Sequence, residues 1–125
     1  MGWAAWGSTE WKHYRAWAVA RIARAIPLTV CGAGGVVHHI PACPACNARK
    51  ATLTHILESC PGTMGARREA LAHRHEAASA QTLLEGSGDL KVLQARVRAV
   101  GRSCAIIVAG LIARGEKRGR LEEGG

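Results

Sequence analysis

The sequence predicts a small, mostly α-helical domain. Three observations carry that expectation. At 125 residues the chain suits one domain and is too short for a polymerase with several subdomains. Apolar residues make up 48%, above the range of disordered chains, but 23 of them are alanine and none is Phe. Alanine favours helix and buries little surface. Finally, between Leu90 and Leu111 apolar residues recur at alternating spacings of three and four. A helical protein with so thin a core needs stabilisation from outside that core.

Residues 1–42 read as a basic, Trp-rich helix followed by a Gly-rich loop. The helix covers 9–26, capped by Ser8 or Thr9 and ended by Pro27. Pro27, Gly32, Gly34, Gly35 and Pro41 make 27–42 a loop, with room for a short strand around Gly35–Ile40. Leu53–Glu58 reads as a short helix capped by Thr52 or Thr54, and Pro61-Gly62 as a turn. Residues 62–114 hold two long helices. Ala66–Leu84 stops at Gly86 and Gly88, and Asp89 to about Arg114 carries Leu90, Leu93, Val97, Val100, Cys104, Ile107 and Leu111 on one seam. That seam suits packing inside one domain or a homodimer through the C-terminal helix. Residues 115–125 read as a disordered tail.

Charge narrows the function. The net charge is +8, distributed as +3 over 1–42, +1 over 43–60, zero over 61–88 and +4 over 89–125. An anionic partner fits basic arms around a neutral centre. Asp plus Glu total nine, and Asp89 is the only Asp, which argues against a two-metal nuclease or polymerase. Asp89-Leu90-Lys91 imitates half of a D-x-K nuclease site without its second carboxylate. No enzyme activity is expected. No apolar run is long enough for a membrane span. Trp at position 6 breaks a myristoylation signal, and no secretory leader is evident. The location expected is intracellular. The basic residues of 1–26 resemble a mitochondrial transit composition, but the tryptophans argue against it.

One constellation is specific: Cys43-x2-Cys46-x8-His55-x4-Cys60. Two cysteines three apart can turn both sulfurs to one ion. Three thiolates and an imidazole then close a tetrahedral zinc site, with no position left for a reactive water. Between Cys43 and Cys60 the large apolar residues are only Leu53, Ile56 and Leu57. Burying each contributes about 2 kcal/mol, against about 10–16 kcal/mol for structural zinc in finger peptides. The competing reading of Cys43-Pro44-Ala45-Cys46 is a redox dithiol, which leaves His55 and Cys60 without a role. Cys104 reads as a core thiol. Cys31, with His38 and His39, reads as a loop residue.

Residues 43–61, CPACNARKATLTHILESCP, resemble the zinc-binding CCHC region at the C-terminal side of reverse transcriptases of non-LTR retrotransposons, including Pro44, Leu57 and Pro61. Arg74-His75-Glu76 is loosely similar to an R-H-(D/N) feature downstream of that region. The resemblance implies a zinc knuckle in a nucleic-acid-binding module, and a nuclear location if the chain belongs to a retroelement; the partner expected, RNA or single-stranded DNA, comes from the aromatic and basic residues of the first helix. Lys12, Arg15, Arg21 and Arg24 alternate with Trp11, Tyr14 and Trp17, so cations can meet phosphates while aromatics stack on unpaired bases. Arg49 and Lys50 offset the thiolates and complete the expected nucleic-acid-binding set. The alternative is a zinc-scaffolded protein-interaction module using the 90–111 seam.

Overall fold

A computed structural model describes residues 2–28, 35–72 and 79–124, with side chains described over 11–28, 35–72 and 79–114. The mostly helical class holds. The first helix, α1 (Gly2–Ala23), starts earlier than expected, because Ser8 and Thr9 continue a helix that Ala4 and Ala5 already favour. It ends where Arg24 takes a positive φ of 53° while its N–H still bonds Ala20 O at 2.8 Å. Arg24 and Ala25 then lead into Pro27, where the expected block lies.

The predicted single strand around Gly35–Ile40 is two shorter ones. Strand β1 (Ile26–Pro27) pairs antiparallel with β2 (Val36–Val37). Strand β3 (His39–Ile40) pairs with β4 (Ala51–Thr52), in the register His39 to Thr52 and Ile40 to Ala51. Residues 41–50 form the loop of this second hairpin, and the first two cysteines of the cluster sit in it.

After β4 comes a π-helical turn, His55–Ser59, where an ordinary short helix was expected. Pro61 does not make a turn. It opens helix α2 (Pro61–Leu71), at a first-turn position where a missing N–H costs nothing. The predicted helix Ala66–Leu84 is divided. Ala72 leaves helical geometry at φ 52°, and α3 (Ala80–Leu84) restarts behind Ser79, whose hydroxyl accepts the Thr82 N–H at 3.1 Å. Residues 73–78, with Arg74-His75-Glu76, lie outside the described residues, as does Cys31.

Helix α4 (Leu90–Gly124) packs against α1, α2, α3 and the π turn. Asp89 caps it, accepting the N–H groups of Lys91 at 2.9 Å and Val92 at 3.4 Å, so its carboxylate is a helix cap. The helix is described beyond Arg114, where the tail was expected to begin; side chains of 115–125 lie outside the described residues. Val97, Val100, Cys104 and Ile107 of the seam are fully buried within the chain. Small residues bring the helices close: Ala16 and Ala20 are fully buried on α1, and Gly101 of α4 abuts His13. Among the described residues, no helix is long and apolar enough to cross a membrane.

Candidate metal centre

The β3–β4 loop turns tightly at its cysteines. Cys43 N–H donates to Ala48 O at 2.8 Å, Asn47 N–H donates to Cys43 O at 2.7 Å, and Asn47 takes a positive φ of 64°, which Asn tolerates better than most residues. That reversal brings Cys46 back beside Cys43. The other pair comes from the π turn. In an α-helix, residues five apart are about 140° apart around the axis. Here Cys60 N–H bonds His55 O, five residues back, at 2.8 Å, and this wider turn aligns His55 with Cys60. In this chain the four-residue gap between them is closed by that turn. Thr52 Oγ1 accepts the His55 N–H at 3.2 Å and fixes the start of the segment.

The four ligand atoms all lie within 4.8 Å of one another. Cys43 Sγ is 3.8 Å from Cys60 Sγ, and Cys46 Sγ is 3.3 Å from His55 Nε2. Zinc–ligand bond lengths imply tetrahedral edges of about 3.8 Å between sulfurs and about 3.5 Å from sulfur to nitrogen. The Cys43–Cys60 and Cys46–His55 separations are close to that frame. Cys43 and Cys60 are fully buried, while Cys46 and His55 are partly exposed. Burial pushes the Cys43 thiol up, whereas the Ala48 backbone N–H draws the Cys46 thiol down. These residues form a Cys3His group that can hold a metal ion, and they are the four picked out by spacing.

The sequence reading missed the residue that braces this centre. Arg67 of α2 is only 9% exposed. It donates through Nη2 to Cys60 O at 2.8 Å, through Nη1 to Glu58 O at 3.2 Å, and through Nε to Thr63 Oγ1 at 3.3 Å. Burial lowers its pKa, and the neighbouring Cys60 and Glu58 oppose that shift. A zinc ion on three thiolates carries a net −1, so a buried guanidinium is well placed to balance it. The available signal was position: Arg67 lies seven residues after Cys60, on the same helical face. Arg49 and Lys50, expected to balance the charge, are both exposed.

Other contacts seat the loop on the helices. A Cβ on Gly62 would lie 2.7 Å from Ala45 O, and one on Gly110 would lie 2.6 Å from Pro44 Cβ. Arg114 donates to Ala42 O at 2.9 Å and to Asn47 Oδ1 at 3.0 Å.

The remaining predicted site residues divide between two places. Lys12, Arg15 and Arg21 are exposed on α1, and Arg24 is exposed just past its end; Arg49 and Lys50 sit on the β3–β4 loop. Trp17 is a core residue, 3% exposed, with its indole N–H on Leu83 O at 2.8 Å. The Arg21 guanidinium lies 4.6 Å over its ring. Trp11, 37% exposed, stacks on Tyr14 with centroids 5.6 Å apart and planes 11° apart. Side chains of Trp3 and Trp6 lie outside the described residues. No family model, curated protein or solved structure matches the chain, so its chemistry rests on this Cys3His geometry and the surface around it.

Proposed function

We propose that this chain is a zinc-stabilised module that binds RNA or single-stranded DNA, without polymerase or nuclease activity of its own. The choice of zinc rests on the donor set, since three thiolates and an imidazole gathered within 4.8 Å of one another suit that ion. The nucleic-acid reading rests on the outward face of α1. Ala16, Trp17 and Ala20 anchor the helix; Tyr14 packs beside Trp17 and carries the exposed Trp11 stacked on it, while Lys12 and Arg15 are exposed on the same helix and Arg21 lies over the Trp17 ring. An aromatic platform among cations binds unpaired bases by stacking and phosphates by charge. The resemblance of residues 43–61 to the CCHC region of non-LTR retrotransposon reverse transcriptases supports a nucleic-acid partner and an intracellular setting, nuclear if the chain belongs to a retroelement.

The test is fluorescence anisotropy of the zinc-loaded protein with labelled single-stranded RNA. Affinity falls steeply between low and moderate salt, and Trp11→Ala weakens it by about 1–3 kcal/mol. Salt-independent binding would refute the charge argument. The alternative, an interaction module or homodimer through the 90–111 seam, draws less support, because Val97, Val100, Cys104 and Ile107 are already covered within one chain.

A further inference from the structure

A cleft of about 600 Å³ opens between the end of α1, the segment before β3, the start of the π turn and α3. That is within the roughly 300–1,000 Å³ range of small-ligand sites. Its chemistry is divided. Arg24 and His38 bring a cation and an imidazole, Leu53 and Leu84 give an apolar wall, and Gln81 adds an amide that both donates and accepts. Glu58 also lines it, but its Oε2 already accepts the Ala80 N–H of α3. Arg24 is held there by a sparsely populated backbone conformation, φ 53°, of the kind that collects at ligand sites.

We propose that this cleft holds one nucleotide unit, its phosphate on Arg24 and His38 and its base against Leu53 and Leu84, with the Gln81 amide on the base edge. The assignment rests on the nucleic-acid reading and extends it from a surface to a pocket. A phosphate alone would not use the apolar wall or the amide, and a nucleoside alone would not use Arg24.

The test is calorimetric titration of the zinc-loaded full chain with cytidine 5′-monophosphate, cytidine and inorganic phosphate. The monophosphate binds saturably, and cytidine and phosphate each bind roughly tenfold more weakly or worse. Arg24→Gly suits the positive φ, so it removes the guanidinium without backbone strain. It lowers monophosphate affinity roughly tenfold or more. Gln81→Ala weakens the monophosphate and leaves phosphate unchanged. Absence of saturable monophosphate binding, equal binding of phosphate and monophosphate, or no effect of Arg24→Gly overturns the proposal. A parallel titration with single-stranded RNA separates the two readings. RNA binding without monophosphate binding overturns the cleft and leaves the α1 surface standing. Monophosphate binding without RNA binding supports the cleft and removes the module reading.

Discussion

Replacing Arg67 with methionine tests whether the centre depends on its buried cation. Methionine keeps most of the volume and removes the three donors. The Cys60 carbonyl retains the Thr63 N–H at 3.2 Å, so it is not stranded. Glu58 is exposed, and water can replace the bond to its carbonyl. The main loss is therefore the 2.8 Å charge-assisted bond to Cys60 O, together with the local positive charge. A hydrogen bond to a charged group contributes about 1.5–3 kcal/mol, so Arg67→Met costs about 2–3 kcal/mol. Metal binding here is coupled to folding of the segment that carries the ligands. At 1.4 kcal/mol per factor of ten, zinc affinity falls about 30- to 140-fold. Competition against a chromogenic zinc chelator reads this directly. Arg67→Lys, with one cationic head, loses less. Arg49→Gln and Lys50→Gln, at exposed positions, stay within about 0.5 kcal/mol. Wild-type zinc affinity and an unchanged urea midpoint in Arg67→Met would refute the bracing role.

Other consequences follow from the packing and the thiols. Gly110→Val, pushed against Pro44 at 2.6 Å, destabilises the zinc-loaded protein by about 1–3 kcal/mol in urea unfolding. Trp17→Phe removes the indole donor to buried Leu83 O and costs about 1–3 kcal/mol by the same measurement. Burial pushes Cys104 up to about 12 from an ordinary 9.0. The stability linked to its neutral form is complete below pH 9 and declines as pH rises toward 12, a decline that Cys104→Ala abolishes. In alkylation at neutral pH, Cys104 of the folded protein stays unmodified, while chelating the metal exposes the ligand cysteines to reagent.

The site was more legible in the sequence than the fold around it. Ligand spacing is a local constraint, and Cys43, Cys46, His55 and Cys60 converge as their intervals required. The seam was legible too, because burial on α4 follows helical periodicity from Val97 to Ile107. What periodicity cannot carry is a backbone state held by tertiary contacts. The π turn at His55–Ser59 and the left-handed residues Arg24 and Ala72 break rules that propensity would apply. Ala66–Leu84 looked continuous because nothing in its composition marks Ala72 as a stop. Pro61 signals both a turn and a helix start, and only the packing of Gly62 on Ala45 decides between them. Arg67 was hidden among ordinary polar residues. Its neighbour Arg68 is exposed, and one position of helical phase separates them.

Zinc stoichiometry of purified wild type, Cys60→Ser and Cys104→Ser tests the central claim most directly. One ion per chain is expected in wild type and in Cys104→Ser, whose thiol is buried in the seam and is not one of the four clustered ligands. Cys60→Ser loses the ion, and the segment from Cys43 to Cys60 unfolds with it. Equal zinc in wild type and Cys60→Ser would contradict the assignment of Cys43, Cys46, His55 and Cys60 as one centre.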